Sequence, residues 1–149
     1  MSIIKSISKK IKFHPIFFFL AFISVITGLF KEFSVFFLII FFHEMGHVLA
    51  ALPFKWNIKS INFYPFGGLI KFDDYINRPI REEFLIVMSG IGAQIIFYFF
   101  ICILHNFYYI NDSLFIMFRN NHYSIILFNL IPVYPLDGIK IANLFLTKF

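Results

Sequence analysis

His43, Glu44 and His47 form an H-E-x-x-H pattern inside an apolar run from Phe33 to Leu52. Residues four apart on a helix share one face about one turn, roughly 5.4 Å, apart, so the two imidazoles can bind a single metal ion. Glu44 falls beside them as a candidate base. In soluble hydrolases this pattern holds zinc through the histidines, while the glutamate takes a proton from the metal's water. Here the three groups sit near the middle of a segment apolar enough to lie in a bilayer. An ionisable side chain at that depth costs about 2.5 kcal/mol or more unless it is paired, hydrated or metal-bound. A buried polar cluster without metal is the competing reading, but this spacing rarely arises inside an apolar helix without a use.

A hydrolytic zinc site takes three protein ligands and leaves one position for water. His43 and His47 supply two. Candidates for the third, able to reach the membrane interior, are Asp137, Asn129, Gln94, His105 and His122. Asp137 is favoured because it follows Pro132 and Pro135, where irregular backbone can turn a carboxylate toward the histidine helix. The competing reading for it is a turn aspartate before Gly138. Asn129 and Gln94 also suit interhelical hydrogen bonds. His14, His105 and His122 lie at the ends of expected spans, where interfacial placement is ordinary.

The chain around these residues is 149 long, 60% hydrophobic, 22% aromatic and 14% charged, with a mean hydropathy of +0.82. Such a composition excludes an ordinary soluble domain and implies an all-α integral membrane protein. The 25 phenylalanines are read as lipid-facing filler. Cys102, the single cysteine, cannot form an internal disulfide and reads as a small apolar residue in a span.

About four transmembrane segments are expected. Phe13 to Phe30 is just long enough to span, with Pro15 in its first turn. It is read as a retained helix, because no small-x-small cleavage pattern precedes Lys31. Phe33 to Leu52 is the second span, ended by Pro53. Phe54 to Phe72 interleaves polar and apolar residues around Gly67-Gly68 and reads as a short membrane-associated β-hairpin-like loop. A third helix runs from Glu83 or Phe84 to about Leu104, with Ser89, Gly90, Gly92 and Ala93 as a small-residue face for close helix approach. His105 to His122, with Tyr108, Tyr109, Asp112 and Arg119, reads as mixed, interfacial and partly amphipathic. Tyr123 to Phe149 is a last segment broken by prolines, which at membrane depth survives only against protein or a water-filled cavity.

The net charge of +5 comes from residues flanking the apolar runs, so it reads as an orientation signal rather than a nucleic-acid surface. Lys5, Lys9, Lys10, Lys12, Lys55, Lys59, Lys71, Arg78, Arg81, Lys140 and Lys148 fall on one side, and only Lys31 and Arg119 on the other. That asymmetry puts the N-terminus, the loop from Phe54 to Glu83 and the C-terminus in the cytoplasm.

His43-Glu44-Met45-Gly46-His47, followed by Asn129-Leu130-Ile131-Pro132-Val133-Tyr134-Pro135-Leu136-Asp137-Gly138, resembles the site-2 protease family of intramembrane zinc metalloproteases. His14-Pro15, Pro65-Phe66-Gly67-Gly68, Asn77-Arg78-Pro79 and Glu82-Glu83-Phe84 extend the likeness over nearly the whole chain. It is strongest to the sporulation group, which processes a sigma-factor precursor. The resemblance implies one zinc ion held by His43, His47 and Asp137, with Glu44 activating water. It implies that Asn129 and the stretch Pro65, Phe66, Gly67, Gly68 lie along the substrate path. It also implies a bacterial cytoplasmic-type membrane, a membrane-tethered protein substrate and inhibitory membrane partners. Two departures stand out. Ile91 follows Ser89-Gly90 where relatives often carry proline. Relatives in the group also continue with further membrane helices and a nucleotide-sensing CBS domain, so residues 1–149 are expected to form a single membrane-embedded catalytic core without those parts.

Hydrolysis then follows from the residue types. Zinc acidifies its water, Glu44 takes the proton, and the hydroxide attacks a peptide carbonyl. A helical substrate must unwind first, and strand addition to the edge around Ile58 to Phe72 could hold it extended. The alternative is a non-catalytic membrane protein that keeps the metal as a scaffold. Glu44 argues against it, since a scaffold gains nothing from that carboxylate.

Overall fold

The computed structural model describes residues 10–64, 67–73 and 78–147. A short strand, β1 (Ile11–Phe13), leads into helix α1 (Pro15–Ile26), where Pro15 suits the first turn and the His14 Nδ1 accepts from the Ile16 amide at 3.3 Å. Thr27 closes α1 by donating its amide to Ile23 O, and Gly28, at φ +76°, turns the chain. Helix α2 (Phe30–Ala51) follows, then strands β2 (Ile58–Tyr64) and β3 (Gly67–Phe72). Helices α3 (Ile80–Asn106), α4 (Asp112–Asn129) and α5 (Asp137–Thr147) complete the chain.

Helices α2 and α3, at 22 and 27 residues, are long and apolar enough to cross a membrane. At 1.5 Å per residue they reach about 33 and 40 Å, against a hydrocarbon core of about 30 Å. The first apolar stretch differs from expectation. Its opening residues are spent in β1, and the 12 residues of α1 reach only about 18 Å. Most of the mixed segment His105 to His122 is helical and continues into the start of the last expected segment as α4, which Asn111 caps by accepting from the Leu114 amide at 2.9 Å. Phe118, His122 and Ile125 then recur at helical spacing on its buried face.

The fold is mostly helical but not all-α. A three-stranded sheet has the order β1-β2-β3, with β1 parallel to β2 (Ile11 opposite Ile61) and β2 antiparallel to β3 (Ile61 opposite Ile70, Phe63 opposite Gly68). The expected hairpin is thus present and gains a strand from the N-terminal segment. β3 is an edge strand.

The core lies between the sheet and the helices. Ile39 and Ile40 of α2 meet Ile61 and Phe63 of β2, and Phe97 of α3 packs with Phe118 and Ile125 of α4. Part of the phenylalanine content is structural rather than lipid-facing: Phe63 is fully buried and stacks with Phe13 and Phe41, at centroid distances of 5.3 and 6.1 Å. Many others are outward. Phe18, Phe19 and Phe22 on α1 and Ile96 and Phe99 on α3 are at least 60% exposed, more contiguous apolar surface than water tolerates.

The α2–α3 contact positions the site. A Cβ on Gly46 would collide with Ser89 O and lie 2.6 Å from the Ala93 Cβ, so the helices meet backbone to backbone there. Ser89, Gly90 and Ala93 form the close face, whereas Gly92 has nothing within 4 Å. The start of α3 is tied to the chain leaving α2: Trp56 Nε1 donates to Glu82 Oε2 at 2.9 Å, and the Arg78 guanidinium lies 5.6 Å over the Trp56 ring.

Candidate metal and catalytic site

His43, Glu44 and His47 all lie on the buried side of α2, exposed by 2%, 6% and 5%. The four-residue spacing of His43 and His47, about one helical turn, carries both imidazoles onto one face, toward Gly90 of α3. Gly90 of α3 makes the room: a Cβ there would collide with the His47 ring and come within 2.8 Å of His43 Cε1.

Asp137 arrives from the other side. The chain leaves α4 at Leu130, runs through Pro132 and Pro135, and re-enters helix at Asp137. Gly138 lets that turn close, since a Cβ would run into the carbonyls of Leu130 and Ile131. Asp137 Oδ2 lies 3.0 Å from His43 Nε2 and 2.9 Å from His47 Nε2, and the two Nε2 atoms are 3.2 Å apart.

The outer nitrogens settle the tautomers. Gln94 donates its amide to His122 O at 3.0 Å, which turns its carbonyl to His43 Nδ1 at 3.2 Å. A carbonyl only accepts, so His43 Nδ1 carries the proton. His47 Nδ1–H likewise donates to Ile86 O at 2.7 Å. In their neutral form both imidazoles thus aim an Nε2 lone pair at a carboxylate oxygen, and protonating both would set two N–H groups against each other. In that form three electron-pair donors meet at one point in a buried site, an arrangement that a cation between them stabilises. Their spacing suits one, because tetrahedral ligands about 2.0–2.1 Å from zinc stand about 3.3 Å apart. Histidine ligands fixed through their second nitrogen are the usual support of such a site.

Glu44 Oε1 accepts from the Gly68 amide at 3.1 Å, so the candidate base points toward the edge of the sheet. It opens on a cavity of about 540 Å³ whose wall includes His47, Gly67, Gly68, Asn129, Tyr134 and Asp137.

Of the expected site residues, His43, Glu44, His47 and Asp137 are brought together, and Gly67, Gly68 and Asn129 line the same cavity. Asn129 Nδ2 donates to Ile125 O at 3.1 Å within its own helix. Pro65 and Phe66 lie outside the described residues, as does Asn77. The other candidate ligands are placed elsewhere: His105 pairs with Asp112 at 2.9 Å, His122 packs between α3 and α4 against Phe97 and Tyr98, and Gln94 orients His43. Sequence reasoning missed the Ile86 carbonyl, which carries no residue-type signal. It also missed Lys140, whose Nζ donates to Asp137 Oδ1 at 2.8 Å and whose i,i+3 spacing was visible.

The sequence profile of peptidase family M50 matches residues 32–122. Stage IV sporulation protein FB of Bacillus subtilis is 34% identical over 139 residues, covering 93% of this chain and 48% of that protein. A zinc metalloprotease of Methanocaldococcus jannaschii is 29% identical over 142 residues, covering 87% of this chain and 41% of that protein. The chain thus spans about half the length of these curated relatives or less. A solved structure, the site-2 protease from Methanocaldococcus jannaschii, matches with a TM-score of 0.73 at 26% identity, over 93% of this chain and 68% of that one. A buried His-His-Asp cluster beside a glutamate, on this helical frame, is of the metallopeptidase class. The chain belongs to peptidase family M50, the site-2 protease family.

Proposed function

We propose that residues 1–149 form the membrane-embedded core of a zinc-dependent intramembrane endopeptidase that hydrolyses a peptide bond in a membrane-tethered protein. The observation that carries this reading is the convergence of His43 Nε2, His47 Nε2 and Asp137 Oδ2 beside Glu44, on a cavity bounded by a strand edge. Relatives described as zinc metalloproteases support zinc as the ion.

Bound there, zinc supplies Lewis acidity, bringing a water's pKa to about 7 and polarising the scissile carbonyl. His43 and His47 keep their Nε2 lone pairs aimed at one point through Gln94 and Ile86. Glu44 takes the proton of the attacking water and returns it to the leaving amine. The Gly68 amide, which donates to Glu44, points away from β2, and strand alternation gives Ile70 the same outward direction. An extended substrate segment can pair along that edge, with Gly67, Gly68 and Asn129 against it, and the resemblance adds Pro65 and Phe66 to that path. The irregular stretch between α4 and α5 forms part of the cavity wall through Tyr134, Pro135 and Leu136, and gives water its way in.

The likeness to a sporulation protein supports a sigma-factor precursor as substrate and a bacterial cytoplasmic-type membrane as location. Lys12, Lys59 and Lys71 lie on the three strands, Lys10 just before β1, Lys55 just after α2 and Arg81 in the first turn of α3, and this clustering of basic residues supports a cytoplasmic N-terminus and cytoplasmic substrate access.

Zinc analysis of detergent-purified protein, beside cleavage of a co-reconstituted sigma-factor precursor, tests the reading. The parent should hold zinc and cleave, and Glu44→Gln should hold zinc without cleaving. Equal cleavage by both would remove Glu44 from the chemistry, and zinc retention with no cleavage by the parent would favour a scaffold.

A further inference from the structure

Asp137 turns only one oxygen to the imidazoles. Oδ2 faces both Nε2 atoms, while Oδ1 accepts from Lys140 Nζ at 2.8 Å. The two oxygens are thereby given different tasks. The carboxylate is buried, at 5% side-chain exposure, whereas the lysine side chain is 31% exposed and reaches the cavity. A charge-assisted bond between such partners is short and directional. Both residues lie on one face of the first turn of α5, which Gly138 seats against the carbonyls of Leu130 and Ile131.

A carboxylate can bind a metal ion through one oxygen or through two. Two imidazoles and one oxygen make three ligands and leave a fourth place for water, whereas a second oxygen would crowd that place. We propose that Lys140 is a positioning residue that holds Asp137 to a single metal-facing oxygen and so keeps the water's place open. The inference rests on the metal reading above. Without the ammonium, Oδ1 would be buried with no donor, and a metal ion beside it would be its nearest source of compensation. Arginine can substitute, because a guanidinium also donates to a carboxylate, whereas methionine fills the space and donates nothing.

Cobalt(II) substituted for zinc distinguishes the cases, since four-coordinate cobalt absorbs strongly in the visible and five-coordinate cobalt weakly. The parent and Lys140→Arg should give the strong spectrum. Lys140→Met should give one several-fold weaker, with kcat lowered about 10- to 100-fold, the usual range for an outer partner of a ligand, at unchanged KM. A Lys140→Met spectrum identical to the parent's overturns the inference whatever its turnover, and leaves the metal reading intact. A parent that binds neither cobalt nor zinc overturns both. Should Lys140→Met lose its helical circular dichroism, the infrared carboxylate bands that change when the parent takes up metal decide. A wide splitting between the antisymmetric and symmetric stretches marks the single-oxygen mode the inference requires, and a narrow splitting contradicts it.

Discussion

The Gly68 amide donates to the Glu44 carboxylate at 3.1 Å, so the edge strand of the sheet and the motif helix meet at the candidate base. No side chain fits between them, because a Cβ on Gly68 would fall onto Cγ and Cδ of Glu44. Gly68→Ala should therefore displace the glutamate while leaving the imidazoles and Asp137 in place. A displacement on the order of 1 Å costs about 100-fold in rate. The expected outcome is cleavage lowered by about that factor with zinc content unchanged, measured on the same preparation.

Gly90 and Gly92 sit two residues apart and should respond in opposite ways. Gly90→Ala drives a methyl group into both imidazoles, and overpacking of this kind costs about 1–3 kcal/mol. Gly92→Ala meets nothing within 4 Å and gains helix propensity of roughly 1 kcal/mol. Thermal unfolding in detergent, read with zinc content, should show Gly90→Ala destabilised and metal-poor. Gly92→Ala should be at least as stable as the parent and fully loaded.

Gln94→Leu keeps the volume but removes both hydrogen bonds. It leaves His43 Nδ1–H and His122 O without this partner in the interior, and loss of such an outer partner lowers metal affinity about 10- to 100-fold. Competition with a zinc chelator should show that weakening. An affinity equal to the parent's would mean that His43 is oriented by packing alone.

What the sequence revealed follows from the range over which each signal acts. His43, Glu44 and His47 were legible because their relation is local, a single turn of one helix in an apolar setting. Asp137 was legible only as a favoured candidate, since the two prolines announce a break but not where the chain points after it. The role of Gly90 was half visible: the small-residue face was plain, but that imidazoles rather than a bare backbone fill the space depends on how α2 and α3 cross. β1 was hidden because its three residues continue an apolar run into α1, and its partners, Ile61 to Phe63, lie some fifty residues away. The extent of α4 was not legible, because the polar residues up to His122 suggest a boundary there, whereas burial of Phe118, His122 and Ile125 on one face carries a single helix from Asp112 to Asn129.

The metal content of Asp137→Ala beside the parent most directly tests whether distant parts of the chain close around one cation. About one equivalent of zinc is expected in the folded parent and little in the variant, with helical circular dichroism preserved in both. A folded Asp137→Ala that holds as much zinc as the parent, with the same affinity, would contradict it.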